Sequence, residues 1–285
     1  SFITATGGML TVTGTVSDTG GGLTLFLGTG DTLKLEAASS ANVVDFFSAS
    51  GGTLELGAGG TLTLGTALTV DGNAVKLDGS GSTLTASVGI FMSSGSIFGA
   101  GTVEGAITAT AGGNVTASNG VLTLSTAVAQ SSGVAFQVAD NSASILKFDE
   151  SVAGNNTVSF LGTRGAIQLD DIVIVPGGLN FAGTVSGLGV GLSAAPDLST
   201  INYINVQAAI SSVVFTDSTH IDVFGLGNVN LGTITLGSAM GLGTFVNWAD
   251  DISLANNVIG SGTSIYFSTT VCFAAGTHIL TALGE

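Results

Sequence analysis

The chain writes one short phrase almost twice in succession. Gly51-Gly52-Thr53-Leu54-Glu55-Leu56 is followed, two residues later, by Gly59-Gly60-Thr61-Leu62-Thr63-Leu64. In each, Leu alternates with a polar residue, so an extended backbone places every Leu on one side. A strand of four residues cannot bury that side alone, and a glycine pair allows the chain to turn before the next one. Gly81-Ser82-Thr83-Leu84-Thr85 and Gly120-Val121-Leu122-Thr123-Leu124 carry the same phrase further along. Short alternating strands cut by glycine corners are what a β-solenoid needs, because each coil buries its apolar row only when stacked on its neighbours. Coils of ~20 residues stacked at ~4.8 Å predict some dozen coils and a rod of about 60 Å. A Greek-key β-sandwich built from the same strands is the alternative.

The alternation predicts strands throughout, among them 9–16, 23–27, 32–36, 43–47, 53–56, 61–70, 74–77, 83–87, 102–108, 121–124, 134–138, 145–148, 157–160 and 166–169. Helix-spaced apolar runs are nearly missing, so the fold class is all-β. The character changes after Asp170-Asp171: all four basic residues (Lys34, Lys76, Lys147, Arg164) lie before it, and both prolines (Pro176, Pro196) and Trp248 lie after it. The organisation is read as Gly/Thr-rich solenoid repeats over 1–170, a second β-rich region over 171–270, and a terminal block over 271–285. Strands are expected in the second region at 171–175, 213–216, 220–224, 229–236 and 264–267, with residues 201–210 left open as one short helix of irregular apolar spacing.

Composition removes several functions. The 285 residues contain 4 Lys and Arg against 19 Asp and Glu, a net charge of −15, so the chain cannot supply the cationic surface that nucleic acid requires. With 45% hydrophobic residues it is not of disordered composition. No run approaches the ~18 apolar residues of a spanning helix, and no basic-then-apolar leader opens the sequence. A single cysteine, Cys272, excludes an internal disulfide.

The last fourteen residues, Cys272-Phe273-Ala274-Ala275-Gly276-Thr277-His278-Ile279-Leu280-Thr281-Ala282-Leu283-Gly284-Glu285, resemble the opening block of the hedgehog/intein-type (Hint) autoprocessing domain. In that family the opening cysteine attacks the preceding peptide carbonyl and converts the amide to a thioester. The resemblance implies Cys272 as that nucleophile and Val271–Cys272 as the bond at risk. The family's later Thr/His block and terminal His or Asn are not present through Glu285, and a thiol without a proton carrier has little reason to attack an amide. Cleavage is therefore expected only in a longer precursor, and 273–283 is expected to dock as a strand. The Gly- and Thr-rich region before the block also looks like the passenger of bacterial surface proteins that carry such a domain.

Other chemistry is sparse. A glycosidase needs two carboxylates across a cleft, for which Asp149/Glu150, Asp170/Asp171 and Asp250/Asp251 are the candidates; adjacent residues on a strand point to opposite faces, so no pair acts alone. His220 lies between Asp217 and Asp222, with no Gly-x-Ser-x-Gly elbow to serve. Zinc lacks enough soft ligands, and no cofactor is expected; calcium is the one metal that turn acids leave open. Trp248, Tyr203 and Tyr266 are candidate exposed aromatics for glycans.

The scarcity of charge bears on the strand edges. β-Proteins usually guard edges with Lys, Pro or inward charge, and few are available here. The first segment, with Phe2 and Ile3, and the last, with Phe273, Ile279 and Leu283, are expected to add strands to other copies. The expectation is a non-catalytic, extracellular or cell-surface structural protein that self-assembles through strand edges as a filament, matrix or adhesin subunit. A carbohydrate-binding or polysaccharide-hydrolysing β-helix is the alternative.

Overall fold

The computed structural model describes residues 1–18, 20–46, 51–129, 132–173, 175–191, 199, 202–208, 210–217, 219–237, 252–256 and 263–268. The protein is all-β: 60% is strand, and the dominant element is a β-solenoid of about seven turns. The described residues contain no α-helix; a single 3-10 turn spans Leu226–Asn228.

The turns stack their strands on three faces, the first of which is reduced to isolated bridges at Val128, Val152 and Phe181 in the later turns. The first face carries Phe2–Ala5, Thr24–Leu27 and Val43–Asp45, then Leu68–Asp71, Ile90–Ser93 and Ile107–Ala109. The second carries Met9–Val12, Thr32–Leu35, Thr53–Leu56 and the leading half of Ala74–Thr85, and runs on through Gly95–Glu104, Gly113–Leu124, Ala135–Val138 and Thr157–Phe160 to Thr184–Ser186. The third begins with Ser39–Ala41 and Thr61–Leu64, and ends with Ile145–Phe148, Gly165–Leu169 and Asn202–Val206. The three long strands turn the corner between the second and third faces. All stacking in this region is parallel, as coils wound in one sense require and a Greek-key sandwich does not allow. Thr32 pairs with Thr53 and Thr53 with Ala74, a repeat of 21 residues.

Coiling places like residue on like. Leu10, Leu33, Leu54, Val75, Ile97, Val115, Phe136, Val158 and Val185 are successive rungs of one internal ladder. From Leu33 onward each is at most 1% exposed. Full burial of such a side chain contributes about 1.5–3 kcal/mol, so the ladders hold the stack together. Outside, the row above the same strands carries Lys34, Glu55 and Lys76 in alternating sign. Glu55 reaches Lys34 at 3.1 Å and Lys76 at 3.3 Å. Buried asparagines tie the corners: Asn73 accepts from the Gly52 amide at 2.8 Å, and Asn156 donates to the carbonyls of Ala129 and Ala153 at 2.9 and 2.8 Å.

Several expectations change. The nine rungs of the second face at ~4.8 Å make a rod of about 40 Å, not 60 Å, because the coiling stops before the chain does. Parallel stacking continues past residue 171, where Gly165–Leu169 pairs with Asn202–Val206. The change comes at Ile210, from which Ile210–Asp217, His220–Gly225 and Val229–Leu236 form an antiparallel meander. Residues 202–206 are strand rather than helix, and every one is buried. Residues 171–175 form no strand among the described positions; Ile172 makes only an isolated bridge to Leu179.

Candidate functional site

The two described ends of the solenoid are built differently. At the far end, the last parallel rungs are covered: Val185 pairs with Leu236 of the meander, and Asn202–Val206 receives Thr263–Ser268 as an antiparallel strand. Ile252–Asn256 then pairs with Thr263–Ser268. At the near end, Phe2–Ala5 pairs only with Thr24–Leu27, and Met9–Val12 only with Thr32–Leu35, among the described residues.

The direction of the hydrogen bonds defines which backbone groups are left over. The Thr24 and Gly28 amides donate to the carbonyls of Ser1 and Ala5 at 3.0 and 3.1 Å. Ser1, Ile3 and Ala5 therefore face the coil behind, and by strand alternation Phe2 and Thr4 face outward along the axis. On the second face the Thr32 and Glu36 amides donate to Gly8 and Val12 at 3.0 and 2.9 Å. This leaves the N–H and C=O groups of Met9 and Thr11 pointing the same way. Phe2 is 72% exposed and Met9 66% exposed, and Phe2 stands edge-on to Phe26 with ring centroids 6.2 Å apart. Ile3, expected beside Phe2 as an assembly residue, is half-buried and packs inward on the core. No charged side chain occurs before Asp18, and Asp18 turns back to accept from the Gly22 and Leu23 amides at 3.0 and 2.9 Å. Those bonds, the Leu23 one foremost, lower its pKa. An edge without Lys, Pro or inward charge is chemically an acceptor for another strand.

The remaining candidates are placed as follows. Tyr203 and Tyr266 are 5% and 3% exposed and pack together with Ala166, so neither is an exposed glycan platform. The reason is that Thr263–Ser268 pairs alongside Asn202–Val206 and brings Tyr266 against Tyr203 on one face; burial pushes the Tyr203 phenol up to about 12. Trp248, Cys272, Phe273, Ile279 and Leu283 lie outside the described residues, as do Asp250 and Asp251. The adjacent acids lie just past the ends of Ile145–Phe148 and Gly165–Leu169 rather than within a strand, and the two members of each pair go to different places. Asp149 and Asp170 both hold Lys147, at 2.8 and 2.7 Å, while Glu150 and Asp171 line a crevice of about 10 Å³ beside Phe148 and Phe181. That is room for about one water and none for a sugar between the carboxylates. His220 Nδ1 lies 2.7 Å from Asp217 Oδ2 at a hairpin tip.

The four basic residues are all engaged. Arg164 pairs with Asp140 at 3.2 Å, and the three lysines sit among Glu36, Glu55, Asp78, Asp149 and Asp170. The Glu55 carboxylate raises the Lys34 pKa, Asp78 foremost raises that of Lys76, and at Lys147 burial is outweighed by Asp149 and Asp170. Among the described residues no group of three or more His, Cys, Asp or Glu is placed to hold a metal, and no helix is long and apolar enough to cross a membrane.

No family model matches the chain, and no curated protein or solved structure is similar to it.

Proposed function

We propose that the protein is a non-catalytic structural subunit of an extracellular or cell-surface assembly, in which copies join through the open edge of the first turn. The observation that carries this reading is the row of outward-facing backbone groups at Phe2, Thr4, Met9 and Thr11 on a charge-free edge. Each added strand bond contributes about 0.5–1.5 kcal/mol. Association itself costs about 4–15 kcal/mol, so joining depends on concentration. Two first turns meeting edge to edge form a closed, two-fold pair, whereas a filament needs a second, different patch. The terminal strand expected at 273–283 is the candidate for that patch. Its Hint-like opening block supports a further proposal, that a longer precursor is processed at Cys272.

Proline substitution tests the reading. Thr4→Pro and Thr11→Pro remove amides that face outward and leave the internal ladder intact. The wild type is expected to sediment as a concentration-dependent oligomer and the double variant as a monomer of unchanged far-UV circular dichroism. A wild type that stays monomeric at every concentration, or a double variant that associates like it, overturns the proposal.

A further inference from the structure

Corner lengths differ sharply between three consecutive coils. Asp78 pairs with Ala100 and Thr83 with Thr102, so the four residues 79–82 stand opposite Gly101 alone. On the other side Gly99 pairs with Ala117 and Gly101 with Leu122, so Ala100 alone stands opposite residues 118–121. One short corner lies between two long ones, and the result is a shallow notch of about 160 Å³, open to solvent. Its floor is Phe98 and Gly99; its walls are Asp78 and Gly79 on one side and Ser118 and Asn119 on the other.

The short corner is fixed by the backbone. Gly99 and Gly101 have φ of +115° and +150°, and a Cβ on Gly99 would stand 1.9 Å from the Leu77 carbonyl oxygen. The walls are fixed as well. Ser82 Oγ donates to the Leu56 and Gly57 carbonyls at 3.1 and 2.9 Å. The Asn119 amide donates to Ser144 Oγ at 3.1 Å, and Asn119 Oδ1 accepts from Asn141 at 2.7 Å. Neither bond uses the Asn119 side-chain nitrogen.

We infer that this notch binds a neutral pyranose unit of an oligo- or polysaccharide, stacked on Phe98 between the polar walls. The half-buried Phe98 ring offers an apolar surface, and Asp78, Ser118 and Asn119 add hydrogen-bonding groups around it. A pyranose has that pairing of an apolar C–H face and a hydroxyl rim. A cation would find one carboxylate, Asp78, already 3.1 Å from the Lys76 ammonium. An anionic sugar would find the lining Lys76 ammonium already neutralised by Asp78 and Glu55, in a chain of net charge −15. A peptide strand would need an open sheet edge, and here the coils are paired on both sides. The inference is independent of assembly at the first turn.

Isothermal titration of the full chain with cellotriose, maltotriose, tri-N-acetylchitotriose and trigalacturonate tests it. At least one neutral trisaccharide is expected to bind with a dissociation constant below about 1 mM. Phe98→Ala should weaken that binding by about tenfold or more. Asn119→Gly, which suits the +57° φ at that position, should weaken it measurably while the melting temperature of both variants confirms folding. Binding of trigalacturonate as tight as that of every neutral sugar overturns the inference. So does the absence of neutral-sugar binding up to about 10 mM, or wild-type affinity in folded Phe98→Ala.

Discussion

The same substitution made at three rungs of one ladder should cost less at the first rung than at the two behind it. Leu54 lies between Leu33 and Val75, Leu33 lies between Leu10 and Leu54, and both are 0% exposed. Leu→Ala at such sites removes the transfer free energy and leaves a cavity, about 2–5 kcal/mol each. Leu10 is half-buried and, among the described residues, is paired on one side only. Part of its area is already in water, and a cavity there opens to solvent, so Leu10→Ala should cost about 1–2 kcal/mol. Urea titrations followed by far-UV circular dichroism, at concentrations too low for association, measure the difference. Because coils couple mainly to their neighbours, slopes and midpoints must be compared together. If Leu10→Ala is as costly as Leu54→Ala in the dilute protein, the first turn is covered on both sides and the reasoning about an open edge fails.

Two further outcomes follow from local geometry. Gly99→Ala places a Cβ against the Leu77 carbonyl at a φ of +115°; it should destabilise the protein by about 3 kcal/mol or more in the same titration, and a neutral effect would contradict the short corner. Asp217 is held down to about 2, foremost by the Thr219 backbone amide and then by His220. A depressed carboxylate stabilises above its unfolded value near 3.8 and loses that contribution as pH falls through about 2. The Thr219 amide resonance should therefore keep its bound shift at pH 4 and change only below about pH 3; a change centred on pH 4 would show that the bond from Thr219 to Asp217 is not made.

Much of the coil was legible because its strands are buried on one side. Thr53–Leu56, Ile145–Phe148 and Thr157–Phe160 begin and end where their alternation does. Where both sides are covered, alternation fails: Asn202–Val206 is buried throughout, with Tyr203 packed on Tyr266 and Asn205 bonded to Ser264 of the neighbouring Thr263–Ser268 strand, and its pattern did not distinguish strand from helix. Glycine misled in the opposite sense. Gly79 and Gly81 read as breaks, yet Ala74–Thr85 is one strand bending through them. Ser39–Ala41 has no large side chain to signal it and exists because Thr61–Leu64 pairs with it.

The candidate sites divide on similar grounds. The exposure of Phe2 follows from an aromatic in an alternating segment without charged side chains, whose outward row has no partner among the described residues; its role in assembly rests on the proposal above. The exposure expected of Tyr203 and Tyr266 depended on a strand about sixty residues away. The notch beside Phe98 depends on the difference in length between neighbouring corners, a property of register that no local pattern carries.

Residue-resolved amide exchange at high and low protein concentration tests the open edge most directly. The Thr4 and Thr11 amides should exchange freely in dilute protein and become protected as concentration rises, while the Leu33 and Leu54 amides stay protected throughout. Protection of Thr4 and Thr11 that is the same at both concentrations would contradict association through the first turn.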